Sequence, residues 1–211
     1  MNLTKAILYC DELVLAGYSD WRLPKVVELQ QIVNYGVFSP AIDSVFFPKT
    51  VVAIPKSLYW AIGLFNNTYT LCVDFMDGGV HSEDQSSNRY VRCVRKQPPE
   101  QEFKYNGDGT VSDLSTGLMW LSKPVEGLFN WQKALKYCEN FSFAGYTDWR
   151  LPDIKESATL LSIGNDYIYI SGLLLWSSTS DSEQPANAFY WSNSGLTPSG
   201  KSNINRVICV R

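Results

Sequence analysis

Apolar residues recur at helical spacing immediately after two asparagines in this chain. Asn130 is a good N-cap, and Ala134, Tyr137, Cys138 and Phe141 beyond it fall at the i, i+3, i+4, i+7 positions of one helix face. Asn2, Ala6, Tyr9, Cys10 and Leu13 repeat the pattern, so two equivalent helices are predicted, with Gly17 and Gly145 as their stops. The phrase Asp-Trp-Arg-Leu-Pro follows each helix and leads into a second one. Pro24 or Pro152 is expected in its first turn, and Gly36 or Gly164 at its end. From there the pattern turns to strands. Leu58-Tyr59-Trp60 corresponds to Leu174-Leu175-Trp176, and Tyr69 to Phe75 corresponds to Ala188 to Trp191. Asp77-Gly78-Gly79 and Asn193-Ser194-Gly195 are hairpin signals. Each half closes on an alternating phrase, Val91-Arg92-Cys93-Val94-Arg95 or Val207-Ile208-Cys209-Val210-Arg211.

These parallels are one duplication. Asn2–Pro24 aligns on Asn130–Pro152 without a gap, with thirteen of 23 positions identical. A repeat of that length is a domain used twice rather than a solenoid unit. The predicted organisation is residues 1–96 as a first domain, 97–102 as a Pro-rich polar linker, and 103–211 as a second domain. Phe103 to Trp120 reads as three short lead-in strands that the first copy lacks, because Met1 aligns with Phe129. The first domain is thus expected to be incomplete at its N-terminal side in this chain: either residues upstream of Met1 are missing, or its closing strand offers an open edge.

Charge narrows the function classes. A net charge of −3 and a pI near 5.2 lack the basic surface of a nucleic-acid binder, so no nucleic-acid partner is expected. No apolar run approaches the ~20 residues of a membrane span. Met1 leads directly into a helical pattern, with no signal-peptide pattern in the chain. Four of the five cysteines sit at matched positions, which predicts the disulfides Cys10–Cys93 and Cys138–Cys209 and an oxidising compartment. Four reduced core cysteines in a cytosolic protein are the alternative. Cys72 is left over, at a buried strand position.

The phrases DGTVSDLSTGLMW, AGYTDWRLPDIKE and VICVR, in this order, resemble the Lcl C-terminal domain family, named for the C-terminal domain of a Legionella collagen-like adhesin. The resemblance spans Phe103 to Arg211, and again Asn2 to Arg95. It implies an α+β fold of tandem C-type-lectin-like domains, each with two helices and small twisted antiparallel sheets. It also implies an extracellular, cell-surface or periplasmic binding module that recognises glycans or a protein surface. The helix-to-last-strand disulfide is one that such folds commonly use.

Identity between copies marks what the fold needs, so the two Asp-Trp-Arg phrases are read as structural. Binding is sought where the copies differ. The loops before the closing strands diverge most, HSEDQSSNR (81–89) against PSGKSNINR (198–206). His81, Asp84, Asn88, Arg89, Asn193, Lys201, Asn203, Asn205 and Arg206 are the polar candidates there, with Tyr190 and Trp191 as a stacking platform. Asn106-Gly-Asp-Gly-Thr superficially resembles a calcium loop but lacks the glutamate at position 12. Glu183-Gln-Pro-Ala-Asn with Trp191-Ser-Asn lacks the oxygen donors of calcium-dependent lectins. No metal and no cofactor are predicted. A single histidine, His81, leaves no repeated nucleophile–base pair, so no enzyme is predicted. Two further readings are carried: an assembly subunit that oligomerises through the edge strand of the first domain, and a receptor-binding protein with variable tips.

Overall fold

The computed structural model describes residues 1–37, 39–52, 57–64, 68–97, 102–163, 168, 173–180, 187–192 and 195–211. The chain divides into two units, Met1–Pro98 and Pro99–Arg211, so the break falls within the Pro-rich stretch. Both units are α+β with small antiparallel sheets.

Unit 1 contains α1 (Leu3–Asp11), β1 (Trp21–Arg22), α2 (Val26–Gln31), β2 (Leu58–Leu64), β3 (Tyr69–Asp74), β4 (Val80–Asp84) and β5 (Val94–Arg95). β2, β3 and β4 form an antiparallel meander, and β1 pairs with β5. Unit 2 opens with the meander β6 (Phe103–Tyr105), β7 (Thr110–Asp113) and β8 (Met119–Leu121). It continues with α3 (Trp131–Glu139), α4 (Ile154–Ile163), and a second meander of β9 (Leu175–Ser180), β10 (Asn187–Ser192) and β11 (Gly195–Gly200). The three lead-in strands stand where the turn signals put them.

The asparagine caps form as expected. The Asn2 side chain accepts from the Lys5 amide at 3.0 Å, and Asn130 from Lys133 at 3.0 Å. The helix ends differ from the sequence reading. α1 and α3 stop at Asp11 and Glu139, several residues before the glycines. Gly17 and Gly145 instead follow Ala16 and Ala144 as left-handed pairs, with φ of 56° and 79° in one copy and 52° and 81° in the other. Two consecutive positive φ values make a primed two-residue turn, which closes Leu15 on Tyr18 and Phe143 on Tyr146. The prolines are also displaced. Pro24 and Pro152 precede the helix caps, and their carbonyls accept from Ile62 at 2.6 Å and Ser178 at 2.7 Å. Gly36 lies beyond the end of α2, and Gly164 is outside the described residues.

Both predicted disulfides are present, Cys10–Cys93 and Cys138–Cys209, and Cys72 is buried in β3 outside them. In unit 1, Ala6, Cys10, Leu23, Leu58, Trp60 and Cys72 form a core cluster against which Val91 and Cys93 pack. In unit 2, Trp120, Trp149, Trp176, Cys138, Ile154 and Ile208 are all buried.

The Asp-Trp-Arg phrases are clamps. Arg22 forks onto Glu28 with two 2.7 Å bonds, and Arg150 onto Glu156 at 2.5 and 2.6 Å. Each glutamate also accepts the backbone N–H at the helix start, from Lys25 at 2.8 Å and Asp153 at 2.9 Å. Asp20 and Asp148 accept from the terminal arginines of the closing phrases, Arg95 at 2.9 Å and Arg211 at 2.7 Å. These arginine bonds hold the Asp20 and Asp148 carboxyls below the usual carboxylate range. Burial pushes Glu28 and Glu156 up, but their arginine partners and helix-start amides outweigh it, and both end lowered.

A folded pKa below the unfolded one contributes stability that is present above the unfolded pKa and lost as pH falls through the folded value. All four clamps act in that direction. The urea midpoint is therefore expected to hold steady near neutrality and decline from roughly pH 5 downward. The Asp20→Asn, Asp148→Asn double variant should show a shallower decline. An unchanged slope would remove these carboxylates from the acid response.

Candidate functional site

The closing phrases show the consequence of the lead-in strands. In unit 2, Val210 is bridged on one side to Arg150 and on the other to Trp120. Met119 exchanges two bonds with Arg211, at 2.8 and 2.9 Å, and the Leu121 amide donates to the Cys209 carbonyl at 3.2 Å. Val207, Ile208, Cys209 and Val210 are all fully buried. Among the described residues of unit 1, β5 pairs with β1 alone, and residues 91–95 stay partly exposed.

Covering that edge also creates a concave surface. A cleft of about 510 Å³ runs between the lead-in strands and α3, with Leu121, Pro124 and Val125 in its lining. Tyr105 and Gly109 line it from the β6–β7 hairpin, and Tyr137, Phe141 and Phe143 from α3 and the turn after it. Tyr137 and Phe141 are four apart and stack at 5.4 Å, and Phe141 stacks on Phe143 at 5.8 Å. Phe143 is held in place by mutual backbone bonds with Tyr146, both 3.0 Å, across the Ala144-Gly145 turn. Trp149, buried behind them, meets Phe141 and Phe143 edge-on at 6.3 and 6.5 Å and donates its indole N–H to the Phe143 carbonyl at 3.3 Å. Gly109 lets the hairpin tip approach, since a Cβ there would lie 2.9 Å from the Phe143 ring.

The cleft offers aromatic surface alongside polar groups. Tyr105 is 53% exposed and Phe143 36%. Ser122, Lys123 and Glu126 supply a hydroxyl and one charge of each sign. At the matched positions of unit 1, Tyr9, Leu13 and Leu15 leave one aromatic of three. The substitution of Leu13 and Leu15 by Phe141 and Phe143 was visible in the sequence as a difference between copies. Its meaning depended on the hairpin that packs across from it.

The residues singled out from the loops are dispersed. His81 and Asp84 lie on β4, with Asp84 accepting from the amide and hydroxyl of Ser86 at 2.8 and 2.6 Å. Asn88 is exposed, while Arg89 is ion-paired to Glu83 and donates its amide to the Met1 carbonyl at 3.0 Å. Lys201 stands over the Trp131 ring at 4.3 Å. Asn203 is exposed, and its side chain donates to the Ser199 hydroxyl at 2.9 Å. Asn205 is only 6% exposed, and its backbone is paired with Phe129, so its place is in the frame. The Arg206 backbone likewise binds Leu174 and Trp176. Tyr190 and Trp191 occupy the middle strand of their sheet, and Asn193 lies outside the described residues, as do Glu183 to Ala186.

Asp108 is spent on its own turn, accepting from the Thr110 amide at 3.0 Å and hydroxyl at 2.6 Å. Among the described residues, Asp74, Asp77 and His81 bring potential ligand atoms within 4.8 Å of one another. Asp74 accepts from Ser57 and Met76 at 2.9 Å each, and Asp77 from Gly79 at 2.7 Å, so both carboxylates build the hairpin turn. Burial raises the Asp77 carboxyl above the usual range.

Among the described residues no helix is long and apolar enough to cross a membrane. The two disulfides fit an oxidising, extracytoplasmic setting. No curated protein matches the chain. The family model of the Lcl C-terminal domain matches residues 1–95 and again 109–211. One span falls within each unit, and the chain therefore belongs to the Lcl C-terminal domain family, an adhesin-type module present here in two tandem copies.

Proposed function

We propose that this chain is a non-enzymatic adhesion module of the cell exterior, and that the cleft of unit 2 binds uncharged sugar rings. The row of Tyr137, Phe141 and Phe143 facing Tyr105 across an open cleft carries this reading. Sugar rings present C–H faces that pack on aromatic rings, while their hydroxyls reach groups at the rim such as Ser122, Lys123 and Glu126. One lysine beside one glutamate gives no net field for a sulfated chain, which calls for clustered cations. Unit 1 keeps one aromatic of the three, Tyr9, with Leu13 and Leu15 in place of Phe141 and Phe143, so the site is assigned to unit 2. Lectin-like recognition through a fixed cleft also agrees with a frame stapled by disulfides and ion-pair clamps.

A glycan array probed with the whole chain tests the reading. Binding to neutral glycans should change little with added salt, and the bound glycan should be recovered intact. Tyr105→Ala, at an exposed position, and Phe143→Ala should each weaken binding by about tenfold or more, equivalent to roughly 1.4 kcal/mol. Binding confined to sulfated glycans, or undiminished in both variants, would refute it.

A further inference from the structure

We infer that Arg92 is a carboxylate-binding residue of unit 1, and that its ligand is a monocarboxylate carried on an apolar body. The duplication shows that the frame does not require a cation there. Aligning Cys93 on Cys209 sets Arg92 on Ile208, which is fully buried. Part of the setting of Arg92 comes from a longer connection. Residues 32–57 join α2 to β2, where residues 164–174 join α4 to β9. The longer segment supplies Phe47 and Thr50, and Asp43 shapes it. The Asp43 side chain accepts from the Val45 amide at 2.8 Å, and its carbonyl accepts from the Phe47 amide at 2.9 Å. A substitution and an extension, both of unit 1, meet at one guanidinium, and binding specificity is expected where copies differ.

The guanidinium is caged but not neutralised. Its central carbon lies 4.8 Å from the centroid of the Phe47 ring, 5.5 Å from that of Tyr59 and 5.2 Å from that of Phe75. Nη2 donates to the Thr50 hydroxyl at 2.7 Å, and that hydroxyl donates to the Phe47 carbonyl at 3.0 Å. The other three arginines of unit 1 each hold a carboxylate, Arg22 that of Glu28, Arg89 that of Glu83 and Arg95 that of Asp20. Arg92 has none among the described residues, and residues 38, 53–56, 65–67 and 98, outside them, include no acid. Aromatic faces offset part of the cost of burying a cation, but they supply no oxygen for its N–H groups. Nε is enclosed without a hydrogen-bond partner. The residue as a whole is partly exposed, and Nη1, also without a partner among the described residues, is the nitrogen left for a ligand. Burial pushes the Arg92 guanidinium below its ordinary value, with Tyr59 acting the other way, and an arginine still stays charged at neutral pH. A half-buried guanidinium binds a planar carboxylate by charge-assisted hydrogen bonds that water weakens less than at an open surface. One such cation in a chain of net charge −3 favours a monoanion over a polyanion. The neighbours set the rest of the ligand. Val51, beside Thr50, is 42% exposed, and Tyr90, which packs on Tyr59 at 5.3 Å, is 38% exposed, so the body behind the carboxylate is apolar. A peptide C-terminus with an apolar last residue and a free aryl acid share this chemistry.

The probes are phenylacetate, a free acid, and N-acetylphenylalanine, a peptide end, each compared with its amide in NMR titrations of the isotopically labelled whole chain. Saturable one-to-one shifts at Arg92 and Thr50 are expected with the acids, and each acid should bind at least tenfold more tightly than its amide. Tighter binding of N-acetylphenylalanine assigns a peptide end, and tighter binding of phenylacetate assigns a free acid. Arg92→Ile installs the residue that unit 2 carries, so unit 1 should stay folded and the shifts should disappear. If that variant does not fold, the comparison of acid with amide on the unaltered chain decides alone. Absence of saturable binding by both acids, equal binding of acids and amides, undiminished binding by a folded Arg92→Ile chain, or tighter binding of glucuronate or sulfate than of either acid would each overturn the inference.

Discussion

Replacing Cys138 and Cys209 together by alanine is expected to destabilise unit 2 by about 4 kcal/mol, the loop-closure entropy returned to an unfolded chain when a long loop is released. The two residues are 71 apart in sequence, and both are fully buried. A loss of that size is a large share of the roughly 5–15 kcal/mol that holds an ordinary domain folded. The Cys10→Ala, Cys93→Ala variant opens a loop of similar length, 83 residues, in a unit without the lead-in strands. Unit 1 should therefore unfold first as denaturant rises. Reduction should follow the same order, since Cys93 is partly exposed while Cys209 is not. Mass spectrometry of thiols trapped during graded reduction checks it: Cys10 and Cys93 should be labelled before Cys138 and Cys209. Simultaneous labelling would mean that the added strands give unit 2 no kinetic protection.

The second large effect is expected at Trp149. It is 2% exposed, backs the Phe141–Phe143 pair and bonds the Phe143 carbonyl. Trp149→Ala leaves a cavity that its neighbours cannot fill and should cost about 3–5 kcal/mol. Trp21 is the same residue in the same phrase, and its indole donates to a carbonyl of the same turn, that of Tyr18 at 3.2 Å, rather than to Leu15, the counterpart of Phe143. It is only partly buried, so Trp21→Ala should cost clearly less. Urea unfolding of each unit, followed by the remaining fluorescence and by amide exchange, measures the difference. Equal losses would show that the lead-in strands do not complete the packing around this residue.

Much of the fold was legible because its determinants are local or duplicated. The Asn2 and Asn130 caps and the four paired cysteines occupy matched places in the two copies, and a feature that recurs at a matched place reflects a shared backbone requirement. The helix ends were misread because Gly17 and Gly145 satisfy a left-handed turn rather than a helix stop, and both are glycine signals in sequence. Pro24 and Pro152 were placed inside the helix rather than just before its cap because their use is tertiary: a carbonyl that receives the β2 or β9 strand. Tyr9 lies on the predicted apolar face yet is half exposed, whereas its counterpart Tyr137 is partly buried in the cleft beside the lead-in strands.

The site was less legible. Loop divergence directed attention to His81–Arg89 and to residues 198–206, where the backbone of several residues turns out to brace the frame. Arg89 and Asn205 hold the residues that start α1 and α3, a role set by contacts more than 75 residues apart in sequence. The cleft arises from the packing of a hairpin against a helix, so neither element alone announces it. Phe141 and Phe143 read as core aromatics until Tyr105 and Gly109 are seen across from them.

The most direct test of the account is an NMR titration of the isotopically labelled chain with a neutral oligosaccharide selected on the array. Saturable shifts centred on Tyr105, Tyr137, Phe141 and Phe143, unaffected by salt, are the predicted result. Shifts confined to the loop tips at Ser82–Asn88 and Ser202–Ile204, with the aromatic cleft silent, would contradict it.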